Sequence, residues 1–237
     1  MAFDTLWPGG PRFAQSGDGY PLSTDSVLLA HFAATARAGS IFDLGCGAGV
    51  LTVLLQLSHP GAAVGGIELS AAAAELCRRN LAENGMDPGG ILCGDLREHR
   101  RLLKAGAWDL VVSNPPYFSA GSGYSAPDPA RADAREERTC TLDDVCAAAG
   151  YLCRWGGAFA LVHRPERLAE VFAALTAHGL EPKRLRPVQH RAGAAPSLVL
   201  VEARRGGKPG LAYEAPLLLT GDDGGDSEEV REIYHMK

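Results

Sequence analysis

Nowhere in the chain do about 18 apolar residues run without interruption, and the start, Met1-Ala2-Phe3-Asp4, has neither a basic opening nor an apolar stretch behind it. A membrane span and a secretory leader are not expected, which leaves a cytoplasmic protein with no membrane partner. Its six cysteines (Cys46, Cys77, Cys93, Cys140, Cys146 and Cys153) form no Cys-x-x-Cys pair. They are expected to be reduced and packed as small apolar groups, with no metal bound. A net charge of −5 lacks the basic excess of proteins that coat nucleic acid unselectively. What the chain does have is apolar mass. With 46% apolar residues among 237 it can bury a full core, and one domain spanning 1–237 is expected.

The charge is unevenly distributed. Residues 1–150 carry 11 basic and 17 acidic side chains, whereas Lys183 to Lys208 holds seven basic residues against the single acid Glu202. Lys183, Arg184 and Arg186 are therefore candidate contacts for a polyanionic substrate, although solvated strand-edge charges would leave the same pattern.

Strand-length apolar runs alternate with helical spacing. Ile41–Leu44, Ala63–Ile67, Ile91–Cys93, Leu110–Ser113, Ala158–His163, Arg184–Val188 and Leu198–Ala203 read as seven strands. Val50–Leu57, Ala71–Asn84, Leu142–Cys153 and Arg167–His178 read as helices, with Ser70 placed to cap the second and Gly85 to end it. Such alternation predicts an α/β fold with a mostly parallel sheet covered on both faces. Only Gln189 to Ser197 separates the last two strands, too little for a crossover helix, so they should form an antiparallel hairpin. A seven-stranded, mostly parallel, Rossmann-like sheet ending in a hairpin is the outline of the class I methyltransferase fold.

The turn after the first strand points to the cofactor. In Asp43-Leu44-Gly45-Cys46-Gly47-Ala48-Gly49 the glycines let backbone approach a ligand at the carboxyl end of the sheet. A dinucleotide turn would place its third glycine where Val50 stands, so the spacing fits S-adenosylmethionine better. Glu68, at the tip of the second strand, can accept from both ribose hydroxyls, and Asp95, after the third, from the adenine amine.

After the fourth strand comes Ser113-Asn114-Pro115-Pro116-Tyr117-Phe118. The lone pair of an exocyclic base amine is spread into its ring and must be localised before it can attack a methyl group. Asn114 offers a side-chain oxygen and Pro115 a carbonyl of fixed direction, which together accept the amine's two protons. Both acceptors stabilise the positive charge that grows on nitrogen during attack. Tyr117 offers a stacking face, and Phe118 an opposite wall or core filling. Methylation at a pyrimidine carbon would need a cysteine nucleophile, and none of the six follows a proline or lies near the fourth strand.

These motifs, together with Gly19 to Leu29, the run Leu161-Val162-His163-Arg164-Pro165-Glu166-Arg167-Leu168 and the ending Glu229 to Tyr234, resemble the bacterial tRNA1(Val) (adenine(37)-N6)-methyltransferase family, within the small-domain class I methyltransferases. The resemblance spans most of the chain. It implies methyl transfer to N6 of an adenosine in a tRNA substrate, with Asp43, Gly45 and Gly47 lining the methionine part of the cofactor, Glu68 the ribose and Asp95 the adenine. Asn114 is counted with this cofactor-binding set as well as with the base. Asn114, Pro115 and Tyr117 are the expected catalytic residues, and Pro116, Tyr117 and Phe118 join Lys183, Arg184 and Arg186 in binding substrate. Tyr20 and Asp25, in a cofactor-covering segment 1–40, are expected to close over the site. A substrate lid at 119–140, carrying Arg131, Arg135 and Arg138, and a C-terminal tail at 219–237 complete the expected layout, and the chain is expected to act as a monomer.

Three rivals remain. An N5-glutamine protein methyltransferase also uses an Asn-Pro-Pro-Tyr run but usually has a helical domain before its first motif, where about 40 residues stand here. A DNA adenine methyltransferase needs a recognition domain larger than the residues after the last strand. An RNA-binding protein on this fold would not require Glu68, Asp95 and Asn114 together.

Overall fold

A computed structural model describes residues 3–14, 23–115 and 140–235. Its centre is one sheet of nine strands: β3 (Ser40–Leu44), β4 (Ala63–Glu68), β5 (Ile91–Cys93), β6 (Trp108–Ser113), β7 (Cys153–His163), β8 (Leu180–Gln189), β9 (Pro196–Arg205), β10 (Ala212–Tyr213) and β11 (Leu217–Leu218). Their order is β10-β8-β9-β7-β6-β3-β4-β5, with β11 also on β8. From β7 to β5 every neighbouring pair is parallel, while β9 is antiparallel to both β7 and β8. The expected hairpin is thus present, with β9 inserted between β7 and β8.

The expected count of seven strands is corrected to nine. β10 and β11 are two-residue strands that pair with the outer edge of β8, at Arg184–Leu185 and Val188–Gln189. Two residues carry no readable period, and Pro187 stands where the outer pairing breaks.

Alternation along the strands builds two cores. On β6, Leu110 and Val112 face one layer and Val111 the other; on β7, Ala158, Ala160 and Val162 oppose Phe159 and Leu161. The first layer holds α1 (Thr24–Ala33), α2 (Val50–Ser58), α3 (Ala71–Glu83) and α7 (Glu228–Ile233), and the second α5 (Leu142–Leu152) and α6 (Leu168–Ala177). A short helix, α4 (His99–Leu102), lies ahead of β6. Within 219–235, α7 is capped by Ser227 and buries Val230 and Ile233 in the first core.

Helix α3 has the predicted ends. Ser70 Oγ accepts from Ala73 N, 3.3 Å, and Gly85 at φ +72° lets its own N–H reach Ala82 O and the N–H of Met86 reach Leu81 O. The helix also holds a small antiparallel hairpin of β1 (Phe3–Thr5) and β2 (Arg12–Ala14), which the sequence pattern did not disclose. Asn80, fully buried, accepts from Ala14 N at 2.8 Å and donates to Ala48 O at 2.8 Å; one turn later Asn84 exchanges two hydrogen bonds with the backbone of Arg12. Asn80→Ala strands a buried N–H and a buried carbonyl, so urea unfolding should show a loss of about 2–4 kcal/mol. A loss below about 0.5 kcal/mol would contradict this bridging role.

Candidate active site

The carboxyl ends of β3, β4, β5 and β6 share one edge of the sheet. Between β3 and β6 the order of the strands reverses, the place where open α/β sheets form their ligand crevice. The glycine turn leaves β3 with Gly45 and Gly47 at φ +76° and +51°; a Cβ at either position would meet nothing within 4 Å, so both border open space. Gly49 serves packing instead. At φ +86°, its Cβ would come within 2.7 Å of Cys77 Sγ and 3.3 Å of Cys77 Cα on α3. The N–H groups of Gly45 and Cys46 donate to Ile67 O, 2.9 and 3.2 Å, tying the turn to the tip of β4.

Asp43 lies beneath this turn, 1% exposed. Its Oδ2 accepts from Thr52 Oγ1 at 2.7 Å, and its Oδ1 is buried with no hydrogen-bond partner among the described residues. Burial raises its pKa to about 7, against a lowering by the Thr52 hydroxyl and with a smaller increase from Glu68. An orphaned buried carboxylate oxygen beside two open glycines fits the ammonium end of S-adenosylmethionine. Glu68, also buried, accepts from Gly47 N at 2.9 Å through Oε2 and from Ser70 N at 2.8 Å through Oε1, so both oxygens are held at the rim of the turn. Asp95 caps the turn after β5 by accepting from Arg97 N, 2.9 Å, and the Arg97 guanidinium beside it holds its carboxyl below the usual range.

Asn114 follows β6 directly. Its Nδ2 donates to Ser26 Oγ on α1 at 3.0 Å, and Ser113 Oγ donates to Leu44 O at 2.8 Å, fastening the tip of β6 to that of β3. The structure therefore brings Asp43, Gly45, Gly47, Glu68, Asn114 and the buried Pro115 to one edge, with Asp95 after the neighbouring β5. Pro116, Tyr117, Phe118, Tyr20 and residues 119–139 of the expected lid lie outside the described residues. Ser26 and Thr52 were missed: nothing local marks them, since their partners are 88 and 9 residues away.

Lys183, Arg184 and Arg186 do not join this site. Arg184 pairs with Glu202 and Glu214, 2.8 and 2.6 Å, with its guanidinium carbon 4.2 Å from the centre of the Phe32 ring; Arg186 pairs with Glu229 at 2.6 Å. Lys183 donates to the carbonyl of Lys208. Among the described residues no group of three His, Cys, Asp or Glu side chains is arranged to hold a metal, and no helix is long and apolar enough to cross a membrane.

The sheet order, the glycine turn and the acidic tips of successive strands define a class I S-adenosylmethionine-dependent methyltransferase. Residues 23–126 match the family model of the methyltransferase small domain. A tRNA1(Val) (adenine(37)-N6)-methyltransferase of Porphyromonas gingivalis is 34% identical over 197 residues, covering 80% of this chain and 76% of the relative. One of the same name from Aeromonas salmonicida is 32% identical, covering 78% and 77%. Among solved structures, a predicted O-methyltransferase of Agrobacterium tumefaciens superposes with a TM-score of 0.72 at 25% identity, over 90% of this chain and 96% of its own. The chain belongs to the tRNA1(Val) (adenine(37)-N6)-methyltransferase family.

Because the folded pKa of Asp43 lies above that of an unfolded aspartate, its contribution to the stability of the cofactor-free protein is full below about pH 4 and is lost as pH rises through about 7. Pairing with an ammonium group requires the ionised form. Calorimetry should therefore show affinity for S-adenosylmethionine strengthening by up to about tenfold per unit from about pH 5.5 to 7, then levelling, with Asp43→Asn abolishing the dependence. Glu68→Ala removes the anchor of Gly47 and, if the expected ribose role holds, an acceptor for the cofactor, and should weaken cofactor binding at least about tenfold. An unchanged dissociation constant would refute the assignment.

Proposed function

We propose that this chain methylates N6 of the adenosine at position 37 of a valine tRNA, next to the anticodon, acting as a monomer in the cytoplasm. S-adenosylmethionine supplies a methyl group on a sulfonium centre. The carbon–sulfur bond breaks as the carbon–nitrogen bond forms, and the amine then releases one proton. The chain's own part is to orient the amine. With its donor end held by Ser26, the Asn114 amide offers its carbonyl oxygen to one amine proton, and the Pro115 carbonyl takes the other. Both contacts strengthen as positive charge develops on nitrogen. Tyr117 and Phe118 are assigned to stacking on the base.

The observation that carries this reading is the place of Asn114, at the strand tip bordering the glycine turn and fixed there by Ser26 and by the Ser113–Leu44 bond. The name of the Agrobacterium neighbour would put the acceptor on a hydroxyl, which has one proton to engage rather than two. Incubation with labelled S-adenosylmethionine and total tRNA from a strain lacking the enzyme, followed by nucleoside mapping, should yield N6-methyladenosine at position 37 of one valine tRNA. Label in a protein band would favour the glutamine methyltransferase, and label on a hydroxyl the neighbour's name. Asn114→Ala should lower kcat by about 10²–10³ while cofactor affinity stays within a few-fold; near-native turnover would sink the mechanism.

A further inference from the structure

The seven basic residues from Lys183 to Lys208 have unequal fates in the fold. Arg184, Arg186 and Arg204 are held by Glu202, Glu214 and Glu229, Arg205 donates to the carbonyls of Tyr151 and Cys153, and Lys183 donates to that of Lys208. Lys208, at the far end of β9, and Arg191 have exposed side chains with no ion pair or hydrogen bond among the described residues, and only Arg191 lies toward the carboxyl end of β8. It sits in the turn between β8 and β9.

That turn lies at the same edge as Asn114. β8 and β7 are both antiparallel to β9 and so run the same way, and β7 is parallel to β6; Val199 on β9 faces His163 on one side and Pro187 on the other. Ser113 is level with Leu161, Val201 and Leu185 across the sheet, so β8 lies three strand spacings, about 14 Å, to the side of β6 and runs four residues, about 13 Å, past its end before the turn opens. Arg164 occupies the ground between. It follows β7, its N–H donates to His163 Nδ1 at 2.8 Å, and its exposed guanidinium donates to Ser197 O at 3.3 Å, beside the turn. A loop of the opposite charge is close by. Thr220 N donates to His190 O and bridges to Asp226, which sets the loop of Asp222, Asp223 and Asp226 beside the end of β8.

We propose that Arg164 and Arg191 are the phosphate contacts for the RNA strand flanking the methylated adenosine. This rests on the RNA reading above and replaces Lys183, Arg184 and Arg186 as the substrate-facing cations. Guanidinium groups suit the task because their planar donors match phosphate oxygens. Each contact also displaces counterion, so its loss is visible in the salt dependence.

The test is binding of an unmodified valine tRNA transcript, by fluorescence anisotropy across a salt series, alongside methyl-transfer kinetics. Arg191→Gln and Arg164→Gln should each raise Kd and KM for the transcript about three- to tenfold and lower the slope of log Kd against log salt by about 0.7–0.9. Cofactor affinity should not move, and Arg164→Lys, which keeps the charge, should retain most of the RNA affinity. Lys208→Gln, at the opposite edge, should bind as wild type. If both glutamine variants keep native Kd and salt slope while the wild type methylates tRNA, this proposal falls and the methylation reading stands. If the wild type has no affinity for the transcript, both fall. Loss of affinity in the variants supports the contact whichever RNA position is methylated.

Discussion

The hydroxyl of Ser113 donates to the carbonyl of Leu44, and this bond closes the one place in the sheet where neighbouring parallel strands part company. β3 and β6 send their chains to different destinations, one into the glycine turn and one into Asn114. Without a tie between their tips, the distance from the glycine turn to Asn114 would be set only by the ladder below. With it, the two halves of a bimolecular reaction are referenced to each other within one hydrogen bond. Methyl transfer needs such a reference, because a near-attack geometry is lost when the reacting groups shift by about an ångström.

The electrostatics of the crevice follow from the same arrangement. Strand tips that must sit close together cannot all be solvated, so Asp43 is buried and raised while Glu68 keeps its two oxygens on backbone N–H groups. The carboxylate that lacks compensation is the one beneath the open glycines. Among these strand tips the strongest unmet demand for a donor or a positive charge therefore lies at Asp43.

Much of this was legible in the chain. Apolar runs of strand length, the serine before α3 and the glycine after it, and acids at successive strand ends are local signals with local physical causes, and they suffice to place Asp43, Glu68, Asp95 and Asn114 at or just beyond strand ends. What stayed hidden depends on partners far along the chain. Ser26 gains its role from Asn114, 88 residues on, and Asn80 from Ala14, 66 residues back. Arg184 and Arg186 looked like a free basic surface because their glutamates are 18 to 43 residues away in sequence, yet adjacent once the hairpin and α7 fold. Two-residue strands such as β10 have no period at all, and the β1–β2 hairpin is too short to show one.

Asn80 sets a limit on how this family member can vary. Its amide joins a donor on β2 to an acceptor in the glycine turn, a task that needs one acceptor and one donor on a side chain of that length. Aspartate would turn a second acceptor toward the Ala48 carbonyl, and leucine would offer neither group. Residues 3–14 and the glycine turn are in this sense a single part with two ends. Trimming the N-terminal hairpin away would not simply shorten the protein, but would leave a buried acceptor unanswered directly behind the glycine turn.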